Sequence, residues 1–299
     1  MTAITRPAPA APSRLAPLRR FCRAYARRPA GLAGLALLVA IGGLALAAPL
    51  FIHSADLSVV GATGRSLAPP SAQFPLGTDQ PGRSILTLLI WGARPSLAIG
   101  LIATALTVLL GGAIGLVAGH YGGLLSRVLM MVTDWFLALP SLPLAIALAA
   151  VLGQGSTSIT IAIAVTSWSA TARLIRAQTL AVEARPFIER ARALGAGDLQ
   201  IMTRQVLPNV MPLILVSSTL TIANSILSET TLTFLGLGNP ADVSWGSMLN
   251  QAYNQGAISQ GAWWYVLPPG IAIAVVVLGF IVVGRAVEQI LNPRMPGGR

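Results

Sequence analysis

Asp134 and Glu229 are the only acidic residues in or beside the long apolar runs of this 299-residue sequence. A carboxylate in such a run is costly to desolvate and marks a functional position by default, a proton relay above all. Asp134 lies within about two helical turns of the cytoplasmic end of its run and Glu229 near the outer end of another, so a relay between them is badly spaced. Structural hydrogen bonding suits both better. His53 and His120 fall outside the apolar runs, which hold neither His nor Cys, so those runs contain no soft ligand set for a bare transition metal. Cys22 is the sole cysteine, which excludes a disulfide framework within the chain. No catalytic cluster of nucleophile and base emerges, and no GxxxxGK[ST] loop to hold nucleotide phosphates. The expectation is a chain that is not an enzyme and binds no metal or cofactor of its own.

Hydroxyl and amide side chains supply a gentler chemistry. Ser217, Ser218, Thr219, Thr221, Asn224 and Ser225 crowd one apolar run, and Thr166, Ser167 and Ser169 crowd another. Such groups commonly bond between helices. Because the two runs flank one loop, Thr166, Ser169, Thr221, Asn224, Ser225 and Glu229 are taken as candidates for the lining of a polar passage.

That loop, Arg173 to Asn209, carries six arginines beside Glu183, Glu189 and Asp198. The stretch PFIERARAL, Pro186 to Leu194, reads as a short helix with Pro in its first turn and Gly195 as its stop. Asp198 is expected to cap a second helix, LQIMTRQVL, that ends before Pro208. Phe187, Ile188, Ala191 and Leu194 recur at helical spacing and are expected to form a buried stripe, with Arg190 and Arg192 toward solvent. A pair of helices this short cannot hold itself in water, so it is built to dock on a partner or to lie on the membrane face. Taken by themselves, these features leave a lipid-surface helix equally open.

The elements that position these residues are membrane-spanning helices. Over half of the residues are hydrophobic (54%) and only 10% are charged, a balance from which no soluble surface can be built. Runs long enough to cross a hydrocarbon core of about 30 Å occur at Gly31–Leu50, Ser96–Ala118, Val128–Leu152, Ile159–Leu174, Val210–Ser228 and Val266–Gly284. The third contains Pro140 and Pro143 and is expected to kink.

All twenty basic residues are arginine. With the N-terminus inside, only Arg65, Arg83 and Arg94 fall outside, leaving seventeen of the twenty on the cytoplasmic face. The orientation is therefore N-in, C-in, and the net charge of +11 follows topology and not a nucleic-acid partner. Arginines from Arg14 to Arg28, an apolar stretch and Ala45-Leu46-Ala47 imitate a secretory signal, but the stretch exceeds the usual signal core and reads as a retained first helix. Residues 1–13, rich in Ala and Pro, read as a disordered tail. Between the first two runs, Gly82–Gly92 suits an interfacial helix. After the fifth, LGLGNP at Leu235–Pro240, Trp245 and Trp263-Trp264 suggest a loop dipping into the outer leaflet near a pore mouth.

The spacing Glu189-Arg190-Ala191, Gly195, Leu207-Pro208 resembles the cytoplasmic EAA signature of ABC importer permeases, with Arg190 where Ala is usual and Gln205 where Ile or His is usual. GTDQPGR at Gly77–Arg83, AGHYGG at Ala118–Gly123, ARALGAGD at Ala191–Asp198, SETTLTFLGLG at Ser228–Gly238 and SWGSML at Ser244–Leu249 narrow the resemblance to the second, C-type permease of dipeptide/oligopeptide/nickel importers. WWYVLPPG at Trp263–Gly270 and NPR at 292–294 complete the ordered blocks. Two departures stand out: Ser84 replaces the acid of a familiar GRD, and Gly284-Arg285 lacks an acid often seen there.

The resemblance implies an all-α polytopic protein of the bacterial inner membrane, with the six-helix type I ABC importer permease fold. It implies a basic arm at 1–30, a first transmembrane helix at 31–51, an extracytoplasmic segment at 52–93, a five-helix core at 94–287 including a docking loop at 174–208, and a cytoplasmic tail at 288–299. It further implies a homologous permease as heterodimer partner, two ATPase domains that bind the ATP and Mg, and an extracytoplasmic substrate-binding protein. The ATPase-docking residues so implied are Phe187, Glu189, Arg190, Ala191, Leu194, Gly195, Asp198, Leu207 and Pro208. Peptides are the expected cargo; nickel chelates or another small solute are the alternative, and a proton-coupled secondary carrier is the alternative from another class.

Overall fold

The computed structural model describes residues 16–291; the tail at 1–13 and the NPR block lie outside them. Every regular element among the described residues is helical. In chain order they are α1 (Ala16–Ala26), α2 (Pro29–Phe51), α3 (Ser54–Leu57), α4 (Ile85–His120), α5 (Gly123–Ala138), α6 (Ser141–Leu152), α7 (Ser156–Glu183), α8 (Pro186–Ala193), α9 (Asp198–Ile201), α10 (Leu207–Phe234), α11 (Trp245–Asn254) and α12 (Trp263–Leu291). Five helices are long and apolar enough to cross a membrane: α2, α4, α7, α10 joined to α9, and α12. The bent pair α5–α6 is long and apolar enough to be a sixth when its two helices are taken together. The protein is thus an all-α, multi-pass membrane protein.

The kink expected in the third span is a full break of 93°. Its cause is local: Pro140 bars Leu139 from the helical region, and Leu139 adopts φ −81°, ψ 135°. Pro143 then falls in the first turn of α6, where its missing N–H is harmless. The interfacial helix expected at Gly82–Gly92 is not a separate element, since Ile85–Gly92 are the first turns of a continuous 36-residue α4. Ser84, the residue standing in place of an acid, begins that helix by accepting a hydrogen bond from Thr87 N–H.

Small residues let α4 and α7 approach closely, as hydrogen bonding and van der Waals packing require where lipid supplies no hydrophobic drive between helices. Gly111, Gly115 and Gly119, four apart, face Thr171, Ala172, Ile175 and Thr179. A Cβ on Gly115 would stand 2.6 Å from the Ala172 carbonyl oxygen, whereas one on Gly112 meets nothing within 4 Å. Gly115→Ala therefore destabilises the solubilised permease by about 1–3 kcal/mol through overpacking. Gly112→Ala, on the same helix, leaves the thermal midpoint unchanged or raises it. Equal midpoints for the two variants would contradict this packing.

At the outer end the segment before α4 is tied down by a buried ion pair. Asp79, fully buried, accepts from the Arg83 backbone N–H at 2.6 Å and from its Nε at 2.7 Å. The guanidinium also donates to Leu57 O and to Gln251 Oε1, and Tyr265 donates its hydroxyl to the same Gln251 oxygen. The outer segment, α11 and α12 are thereby joined in one network. Trp245, expected at a lipid interface, is 1% exposed and donates its indole N–H to Leu89 O at 2.9 Å. The chain after the fifth span is thus a short helix, α11, packed into protein.

Candidate functional site

The helix α8 ends as the sequence demands. Gly195 adopts φ +83°, a conformation costly for any residue bearing a Cβ, and its N–H bonds to Arg192 O while Ala196 N–H bonds to Ala191 O. Beyond this turn the sequence expectations part from the structure in four places. Residues 174–183, assigned to the docking loop, continue α7 as a helix of 28 residues. Asp198 does not cap: Gly197 holds the cap position and the Asp198 carboxylate points back toward His120, 3.7 Å from its Nε2. The second helix does not stop before Pro208. It passes through a π turn, Met202–Val206, straight into α10, because Pro208 has no N–H to offer Arg204 O and Leu207 N–H bonds Met202 O instead.

Leu194 is the fourth departure. Ile188 is fully buried and Phe187 and Ala191 are half-buried, but Leu194 is 88% exposed. The turn at Gly195 rotates it out of the stripe, and Leu199 beside it is 66% exposed. Glu189 and Arg190 are exposed too, while Leu207 is half-buried and Pro208 exposed. Ile188 packs with Ile201, Val206 and Val210 in the same buried cluster as Ile175 and Val182 of α7. The loop is therefore a compact knob, seated on α7 and α10 by one apolar face and presenting Leu194 and Leu199 on the other.

A polar joint fixes the knob, and sequence reasoning did not find it. His120, at the end of α4 with a side chain 1% exposed, lies 2.5 Å through Nδ1 from Glu183 Oε1 at the end of α7. The other oxygen of Glu183 accepts from Arg192 of α8 at 2.7 Å. Helices α4, α7 and α8 thus meet on one carboxylate.

The second candidate region is a cavity of about 610 Å³ between α5–α6, α7 and α10. Ser141, Thr166, Ser167, Ser169, Thr171, Thr221, Asn224, Ser225 and Ser228 supply its polar lining. Five of the six passage candidates, Thr166, Ser169, Thr221, Asn224 and Ser225, are thereby brought together. Glu229 is not among them. It is fully buried one turn nearer the outer end of α10, beside Pro95 and Ile99 of α4, where Thr230 and Thr233 donate to its carboxylate at 3.4 and 3.2 Å. Asp134 is likewise apart, paired at the surface with Arg173. Of the cavity hydroxyls, Thr166 and Thr221 are engaged with carbonyls of their own helices, and Ser225 accepts from Thr104 of α4 at 3.0 Å.

Residues 111–296 match the family described as the inner-membrane component of binding-protein-dependent transport systems. The chain belongs to that family. The permease is 38% identical to the di/tripeptide transport system permease protein of Pseudomonas aeruginosa over 286 residues, 93% of each chain. It is 33% identical to the oligopeptide transport system permease protein of Lactococcus lactis subsp. cremoris over 247 residues, 82% of this chain and 84% of that one. It is also 36% identical to the glutathione transport system permease protein of Pectobacterium atrosepticum over 227 residues, 76% of this chain and 74% of that one. The permease is accordingly a multi-pass inner-membrane subunit of an ABC importer and not an enzyme. The glycines at 111, 115 and 119 begin at the edge of the matched region, and their four-residue spacing is the signal by which the α4–α7 contact could have been found.

Proposed function

We propose that this permease imports peptides as half of a translocation pathway, driven by a separate ATPase that docks on the α8–α9 knob. The observation that carries the proposal is connectivity: the knob joins α7 to α10, and both helices contribute polar residues to the 610 Å³ cavity. A push on the knob moves two walls of that cavity together. The substrate class follows the names of the relatives, which include di/tripeptide, oligopeptide and glutathione systems.

The partners follow from the same reading. A homologous permease completes the pathway as a heterodimer, two ATPase domains hold ATP and Mg below, and an extracytoplasmic binding protein delivers cargo above. The fixed joint at Glu183 transmits force because α4, α7 and α8 cannot slide independently while it holds. Alternating access then amounts to a rigid-body movement of packed helices about the break at Pro140.

The deciding experiment is uptake in a strain lacking this subunit, with labelled dipeptides, pentapeptides and nickel offered separately. Restored peptide uptake on complementation is the expected outcome; restored nickel uptake alone refutes the peptide assignment. Within the cavity, Thr221→Leu combined with Asn224→Leu lowers peptide uptake about tenfold, equivalent to ~1.4 kcal/mol on the limiting step, with assembly unchanged. Unaltered transport by that double variant removes these residues from the pathway.

A further inference from the structure

We propose that the cleft between α5 and α7 at their cytoplasmic ends binds one anionic phospholipid of the inner leaflet. The proposal rests on the N-in orientation, which places the His120–Glu183 end of the bundle in the cell. The cleft measures about 590 Å³. Its upper rim carries Arg127 of α5 and Arg176 of α7, with Arg176 Nε donating to Ser126 Oγ at 3.3 Å. The cleft contains a single acid, Asp134, and Arg173 already pairs with it. Arg127 and Arg176 have no carboxylate within 4 Å among the described residues, so two positive charges face the cleft without a counter-ion.

Depth selects the ligand. Arg127 is four residues into α5 and Arg176 seven residues from the end of α7, about 6 and 10 Å from the helix ends. Arg127 immediately precedes the apolar run Val128–Leu152 and Arg176 lies two residues past the run Ile159–Leu174, so both stand at the cytoplasmic border of the apolar stretches, where headgroups begin. Below the rim Met131 and Trp135, four and eight residues on from Arg127, form an apolar wall on the same face of α5, beside the Asp134–Arg173 pair. Met131 is 55% and Trp135 74% exposed. A soluble anion needs only the basic rim; the rim together with an exposed apolar wall directly beneath it fits a phosphate carrying acyl chains. Basic pockets between spans on the cytoplasmic side are where such headgroups bind.

The test is native mass spectrometry of the assembled transporter, purified in detergent and offered phosphatidylglycerol or phosphatidylcholine with identical chains. Selective retention of phosphatidylglycerol is the expected result. Arg127→Gln with Arg176→Gln lowers that retention about 30-fold, roughly fivefold for each arginine near the surface. Arg94→Gln, on the extracytoplasmic side, leaves it unchanged. Equal retention of the two lipids, or no retained lipid because the partner permease covers the cleft, overturns the proposal. Displacement of phosphatidylglycerol by inorganic phosphate also overturns it, since a soluble anion would then be the ligand. So does a double variant that raises the KM for peptide and keeps its lipid, which would assign the arginines to cargo release. Orientation is checked separately with Leu199→Cys in a Cys22→Ser background. Labelling of that cysteine from outside intact cells refutes the orientation, whereas labelling only from inside with no lipid selectivity refutes the lipid site alone.

Discussion

Leu194→Asp abolishes peptide uptake while leaving the permease folded and inserted. Leu194 is 88% exposed at the tip of the knob, so the change removes no buried contact and stability moves by less than about 0.5 kcal/mol. What it places at the tip is a charge, in a position where the partner ATPase is proposed to receive an apolar side chain. Burying that charge without a counter-ion is strongly unfavourable, and loss of a central apolar anchor costs about 2–4 kcal/mol of docking free energy. Uptake is expected to fall by at least ~30-fold. Co-purification of the ATPase and uptake in the deletion strain measure the two halves of this statement. Normal uptake with Asp at 194 rules out a docking role for the tip.

Arg83→Met has the largest expected effect on stability. Asp79 has no exposed surface, and its carboxylate is held by the backbone N–H and guanidinium of Arg83. Removing the guanidinium leaves a buried carboxylate without its cation, which costs about 3–5 kcal/mol. It also frees Gln251 and the Leu57 carbonyl, loosening α11 and the outer segment from one another. Asp79→Asn combined with Arg83→Met recovers much of the loss, because neither charge is then stranded. Thermal unfolding of the solubilised transporter distinguishes the single from the double variant. A single variant less than about 1 kcal/mol below the parent shows that the pair behaves as an exposed one, contrary to its burial.

The features that sequence made legible are those governed by a local rule. Gly195 had to be glycine because a left-handed turn closes α8, and Pro140 had to disturb the third span because it restricts the residue before it. The size of the disturbance, 93°, was not legible, since it depends on how α6 packs against α7. Leu194 was misplaced because eight residues are too few for a helical period to separate the last buried position from the first exposed one. Asp198 was misplaced because the position of its neighbour His120, far away in sequence, is invisible to a capping rule. Trp245 shows the same limit, as an aromatic residue near the membrane surface serves as lipid anchor or buried pin according to what packs over it.

Polar residues in the fourth and fifth spans pointed to one cavity because both helices flank one loop, a topological inference that needs no coordinates. Glu229 escaped the same inference through depth: it lies one turn beyond Ser225 toward the outer end of α10, where Pro95 and Ile99 of α4 and the chain after α10 close over it. The network through Glu183 lay outside the reach of sequence because its members come from three helices and no spacing rule links them.

The most direct test is co-reconstitution of the permease with the proposed partner permease, ATPases and binding protein in proteoliposomes, with uptake and ATP hydrolysis followed together. Peptide accumulates only with ATP on the knob side, and Leu194→Asp abolishes accumulation together with the hydrolysis stimulated by the loaded binding protein. Uphill accumulation without the ATPases, or accumulation that follows a proton gradient and ignores ATP, contradicts the account.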